Sequence, residues 1–340
     1  MKHTILLFGT LLLSCASSQK SAEFTPETFA NTITSAELKE HLYTYASDEF
    51  MGRETGTEGE TIAINYLKDQ YEALGIMGGM PNGDYFMPMT LKAYRENRSI
   101  DCNNVLAYIE GSEKPNEVLV ITAHLDHIGV EDDGQINNGA DDDGSGTVAI
   151  LEIAEAFQLA VKQGHRPKRS VLFLHVTGEE KGLLGSKYYT DNPVYPLENT
   201  VVDLNIDMIG RIDEIHKDNP NYLYLIGSDI LSQDLHDVSE AMNKKYINLE
   251  LDYRYNDPTT EVFERGRYRE NRYYYRSDHY NFAKNEIPVI FYFNGTHADY
   301  HAPSDTVEKI EFDLLEKRTR LIFHTAWEIA NRNDRLRLKE

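Results

Sequence analysis

The chain predicts an α/β fold, a mostly parallel sheet covered by helices on both faces. Two observations carry this. Short Val/Ile/Leu-rich runs at residues 105–109, 118–122, 171–176, 201–205, 222–226 and 289–293 alternate with helical patterns at 146–163, 183–190, 230–244, 280–285 and 312–331. Continuous rather than alternating apolar runs mark strands buried on both faces. In addition, five short segments along the chain hold metal-ligand-type residues, and most of them follow such a run: 123–127 (Ala-His-Leu-Asp-His), 139–143 (Gly-Ala-Asp-Asp-Asp), 178–180 (Gly-Glu-Glu), 205–207 (Asn-Ile-Asp) and 301–305 (His-Ala-Pro-Ser-Asp). Strand ends are where open α/β sheets build their sites.

Two amphipathic helices are expected first, over 35–50 and 59–74. The second carries Ile62, Ile64, Leu67, Tyr71 and Leu74 near a period of about 3.6 residues. The turn-rich stretch 52–57 links them, and the glycines of 75–81 end the pattern. No repeat or interdomain linker follows, so residues 31–340 read as one domain, long enough for a large core. Residues 248–276 lack clear periodicity and hold six arginines in an acidic protein. An insertion of this length belongs on the surface and often near a site; a solvated loop fits equally, since Glu261, Glu264 and Glu270 balance much of its charge.

The formal net charge is -22, with 56 acidic against 34 basic residues. That balance argues against nucleic acid as a partner. At the start, Lys2 precedes an apolar run at 5–13, too short to span a bilayer and suited to a signal-peptide core. Leu12-Leu13-Ser14-Cys15 resembles a bacterial lipobox, which makes Cys15 the expected lipidation site; cleavage near Ala16 is the plainer alternative. Residues 1–15 then form the signal and 16–30 a tether, with the protein exported to the periplasm, outer membrane or cell surface. Lipidation would leave Cys102 without a partner, so no structural disulfide is expected.

The chemistry lies in the segments after the strands. Hard carboxylates mixed with imidazoles suit zinc or a similar divalent ion. His124 follows a buried run, and Asp126 is placed to orient it through the other ring nitrogen. On its own, a histidine there is more often structural. Residues 141–152 also fit a calcium-loop pattern, with Glu152 in the twelfth position. That reading needs an entering helix, whereas 129–139 is loop-like, and the following helix carries Glu152 away. The alternative is that one aspartate of the cluster, Asp141, bridges two metals. Glu179 and Glu180 are adjacent carboxylates at a strand end; one can bind metal while the other moves a proton. Asp207 lies between apolar residues and needs a cation or strong donors. Arg276-Ser277-Asp278-His279 and the segment from His297 to Thr306 complete the set.

In this order, the motifs AHLDH, GADDDGSG, GEE, NIDMIG, SDH and YHAPSDT resemble the M28 family of metallopeptidases, from about Phe50 to the C-terminus. The resemblance implies a three-layer α/β/α sandwich with a mixed, mostly parallel central sheet and two zinc ions per chain. It implies His124, Asp141 and Asp207 around one zinc, and Asp141, Glu180 and His301 around the other. Asp141 would be the shared ligand, Glu179 the general base and Asp126 the group orienting His124. Tyr274 would stabilise the oxyanion, although Tyr273 and Tyr275 compete for that role, and His279 would contact substrate. Neither HExxH nor GxSxG occurs, so thermolysin-like and serine-hydrolase signatures are absent. The expected activity is an exported zinc aminopeptidase acting on peptides. A one-zinc glutaminyl-cyclase-like acyltransferase and a calcium-binding lipoprotein are the rivals.

Overall fold

Apolar runs become the middle of a mixed sheet because helices cover both of its faces. The computed structural model describes residues 25–93, 98–264 and 267–339; Cys15 and the apolar run before it lie outside them. The helices are α1 (Glu27–Ala30), α2 (Ser35–Tyr45), α3 (Glu58–Leu74), α4 (Gly146–Lys162), α5 (Leu184–Asp191), α6 (Gln233–Met242), α7 (His279–Ala283) and α8 (Phe312–Asn331). The strands are β1 (Met77–Gly78), β2 (Phe86–Ala93), β3 (Arg98–Ile109), β4 (Lys114–His124), β5 (Arg169–Val176), β6 (Thr200–Ile206), β7 (Tyr222–Ile226), β8 (Glu250–Asp252), β9 (Glu261–Glu264), β10 (Arg267–Glu270) and β11 (Val289–Phe293).

The sheet runs β1-β3-β5-β4-β6-β11-β7-β8, with β2 also paired to β3. Its centre, β5-β4-β6-β11, is parallel. Antiparallel pairing joins β3 to β5 on one side and β7 to β11 on the other. Successive side chains alternate between the faces. Leu119, Ile121 and Phe173 meet Phe157 of α4 and Phe323 of α8 in one layer; Val120, Leu172 and Leu174 meet Tyr189 of α5 and Phe282 of α7 in the other. The chain leaves β4 to build β5 on one side and then β6 on the other, so β4 is the topological switch point. A crevice at the carboxyl ends of these strands is the consequence.

Local signals set the helix ends. Thr34 caps α2 by accepting the Glu37 amide at 3.2 Å, while its hydroxyl donates to the Glu37 carboxylate at 2.7 Å. Gly75, left-handed at φ 73°, closes α3.

Some elements differ from expectation. The first helix ends at Tyr45, and Asp48–Arg53 forms tight 3-10 turns instead. There Gly52 takes φ +64°, and a Cβ would stand 2.5 Å from the Asn137 carbonyl, so a side chain would push the turn off the loop beneath it. Residues 27–30, expected within a tether, form α1 instead, and Phe29 and Ala30 are core, with Phe29 5.9 Å from Trp327. The 248–276 stretch contributes β8, the β9–β10 hairpin and a turn at Tyr273–Tyr275.

Candidate metal centre and active site

His124 is the last residue of β4 and is buried. Its Nδ1 lies 2.9 Å from the backbone carbonyl of Asp126, which puts the proton on Nδ1 and leaves Nε2 bare. The Asp126 carboxylate stays 3.7 Å from that nitrogen. It accepts the Thr55 hydroxyl at 2.8 Å and the Glu179 amide at 3.2 Å instead. Asp126 therefore orients His124 through its carbonyl, and its side chain fixes the turn that carries Glu179.

The three adjacent aspartates divide differently from expectation. Asp141 is turned away from both histidines assigned to it. Its carboxylate accepts the Gly210 amide at 2.6 Å and the Ser145 hydroxyl at 3.0 Å, and its other oxygen lies 3.1 Å from His297 Nε2. Asp143 spends its oxygens on the amides of His124, Gly146 and Met208. Asp142 faces the crevice, with Oδ1 3.1 Å from His124 Nε2 and Oδ2 3.0 Å from His301 Nε2. Asp142, and not Asp141, is thus the carboxylate that faces both histidines. The reason is backbone direction: Asp305 accepts the amides of both Asp141 and Asp142, at 3.0 and 3.2 Å, and turns the loop there.

Asp207 follows β6, with one carboxylate oxygen 3.7 Å from His124 Nε2 and the other accepting the Ser277 hydroxyl at 2.6 Å. Glu180 Oε1 lies 3.2 Å from His301 Nε2 and 3.0 Å from His127 Nδ1. Burial and the Asp142 carboxylate push the Glu180 carboxyl up, but these imidazoles outweigh them and hold it at about 2. Burial lowers His301 too, yet Asp142 and Glu180 raise it to about 10.

Among the described residues, two clusters have the composition and spacing for a metal: His124, Asp143 and Asp207, and His127, Asp142 and Glu180. We place Asp142 in both, because Asp143 has no oxygen to spare. The buried atoms His124 Nε2, His127 Nδ1, Asp142 Oδ2 and Glu180 Oε1 make no hydrogen bond despite approaches near 3 Å. Buried polar atoms normally find partners. Atoms that converge without bonding one another are arranged for a cation between them, so this donor set fits zinc.

Beside the cluster is an open pocket lined by Asp142, Glu179, Asp207 and Tyr300, with Met208, Tyr273, Phe291 and Phe293 as its apolar part. Arg276 and Thr296 complete the lining. Glu179 is half-buried. Burial raises its pKa well above the carboxylate range against the pull of His124, and Glu180, Asp207 and Asp278 add to the rise. Tyr274 is not in the lining. It packs edge-on against Tyr275 and Tyr280, and the same turn presents Tyr273 to the cavity. His279 is wholly buried and stacked on Phe291 at 5.0 Å, so it has no surface for substrate. Burial pushes its pKa down to about 3. The calcium pattern also comes apart, since Glu152 lies in α4 beside His41 at 3.5 Å.

Residues not singled out for a role hold the site together. Arg53, fully buried, donates to the carbonyls of Leu125, Asn138 and Gly139 at 2.7–3.1 Å and to that of Tyr45 at 3.3 Å, joining both ligand loops. The only signal for it was a charged residue inside a Gly-rich turn. His127 and Tyr300 had a clearer one, each being adjacent to or one residue from an assigned group.

A family model described as Peptidase family M28 matches residues 104–326. Leupeptin-inactivating enzyme 1 of Streptomyces exfoliatus is 28% identical over 82% of this chain and 52% of its own. The chain spans about half the length of the curated relatives it first matches. Among solved structures, the LapA aminopeptidase of Legionella pneumophila superposes with a TM-score of 0.68 at 20% identity, over 91% of this chain and 75% of that one. A glutaminyl cyclase from Bacteroides thetaiotaomicron gives 0.65 at 18%, over 87% and 98%. At these identities the likeness concerns the fold.

Proposed function

The chain belongs to peptidase family M28, and from that membership we propose that it is a co-catalytic zinc aminopeptidase, removing residues from the free amino ends of peptides. The observation that carries this reading is the Asp142 carboxylate, whose two oxygens face different histidines at 3.1 and 3.0 Å. A carboxylate so placed serves two cations at once. His124 and Asp207 would hold one zinc, Glu180 and His301 the other, with Asp142 common to both.

Two zinc ions supply Lewis acidity for the scissile carbonyl and its attacking water. Glu179 accepts the proton that the water gives up and returns it to the leaving nitrogen. Met208, Tyr273, Phe291 and Phe293 receive an apolar side chain. Burial keeps the Tyr300 hydroxyl protonated, a donor for the carbonyl oxygen in place of Tyr274.

The test is metal analysis together with a substrate panel. Two equivalents of zinc, with hydrolysis of aminoacyl anilides but not their N-acetylated forms, is the expected result. One zinc with cyclisation of N-terminal glutamine would install the cyclase reading instead. Export and lipid anchoring at Cys15 rest on the apolar run before it. Labelling with radioactive palmitate should mark the full chain and miss a Cys15→Ser variant.

A further inference from the structure

His127 is assigned no role above, yet it is built into the cluster. Its amide bonds the Arg53 carbonyl at 3.3 Å, and a Cβ on Gly139 would stand only 2.5 Å from its ring, so backbone and ring are both fixed. The side chain is fully buried. Nδ1 stands 3.0 Å from Glu180 Oε1 and 3.9 Å from Asp142 Oδ2, while the His301 ring lies edge-on at 5.7 Å. Neither ring nitrogen makes a hydrogen bond, and neither do the two carboxylate oxygens it approaches.

A nitrogen lone pair beside a carboxylate oxygen is repulsive unless a proton or a cation lies between them. A proton would give an aligned hydrogen bond, and the alignment is missing. We propose that His127 is a further metal ligand, joining Glu180, His301 and Asp142 at the second zinc position. This rests on the two-zinc reading above and deepens it, because the positions then become unequal. The Glu180 side holds four protein ligands, a complete set for zinc. The His124 side has three, which leaves a place for water or substrate.

The experiment is chelator competition on the zinc-loaded holoenzyme, comparing wild type with His127→Phe and His127→Gln. Cobalt-substituted protein supplies a visible absorption spectrum as a second readout. Wild type should release zinc in two steps. Both variants should release the tighter ion at chelator concentrations about 100-fold lower or less, with a changed cobalt band. The Gln variant tests the alternative, since it can still donate to Glu180. Wild-type retention by either variant would overturn the assignment and leave the two-zinc reading standing. A wild type with one zinc, lost on changing His127, would overturn the two-zinc reading and keep the ligand. A wild type without zinc would sink both.

Discussion

Asp142 has no amide spent on it, while the aspartates on either side are held by backbone donors. Their substitutions should therefore separate. Asp142→Asn removes the charge common to both cations, and zinc content should fall to one equivalent or none. Asp141→Asn should keep two equivalents and lose about 1–3 kcal/mol of stability in urea denaturation, because a buried acceptor becomes an amide facing the Gly210 N–H. If the first variant keeps full zinc, Asp142 is not shared. Glu179→Gln should retain its metal while kcat drops by about 10²–10⁴; undiminished turnover would remove it from proton transfer. The proposed ligands His124, Glu180, Asp207 and His301 came from the resemblance, since Glu179, His127 and His297 offer the same chemistry a few positions away. The choice among three consecutive aspartates was not readable. It depends on where Asp305, some 160 positions away, turns the loop. Tyr274 has a related cause, since in the Tyr273–Tyr275 turn it is Tyr273 that lines the cavity, whereas His279 opens α7 with its ring buried on Phe291.

At the scale of elements, the 52–57 turn ties both ligand loops to α2 and α3. Arg53 has carbonyl partners, so removing it takes the side-chain donor from the Tyr45 and Asn138 carbonyls, while Leu125 keeps the Tyr45 hydroxyl and Gly139 keeps the Gly144 amide. Arg53→Leu should cost about 3 kcal/mol or more and weaken zinc retention, measured by urea denaturation and metal analysis. A stability loss near zero would show that the loops hold themselves. The central strands and the long helices were legible because continuous apolar runs and 3.6-residue periods are local properties. The β2 strand was not, since it is an edge whose Met87 joins one main core layer while Met89 and Leu91 meet only a small satellite cluster. Met87, Met89 and Leu91 alternate with Pro88, Thr90 and Lys92, so there is no continuous apolar run to mark it, and a proline lies within it.

At the scale of the molecule, acidity reaches into the helical layer. Glu152, buried in α4, is pushed up to about 9 from an ordinary 4.5 by burial, with Glu37 and Glu155 adding to it. Burial lowers the neighbouring His41, so their contact joins two neutral groups near pH 7. The folded state keeps the Glu152 proton where the unfolded chain loses it. This stabilisation is complete below about pH 4.5 and disappears as pH climbs toward 9. Glu152→Gln should match wild type at pH 4.5 and exceed it by a few kcal/mol at pH 8, read by urea denaturation at both values. An identical difference at the two pH values would refute the neutral state. Stripping metal should lower the melting temperature, since Asp142, Asp207 and Glu180 lose their counter-charge, and zinc should restore it.

The crevice takes donors from the ends of β4, β5 and β6 and from the loop after β11, which the ribosome delivers last. On the proposed assignment a nascent chain therefore lacks His301, the last of the metal-facing residues, until most of its length has been made. The donor set is completed only with the last part of the fold.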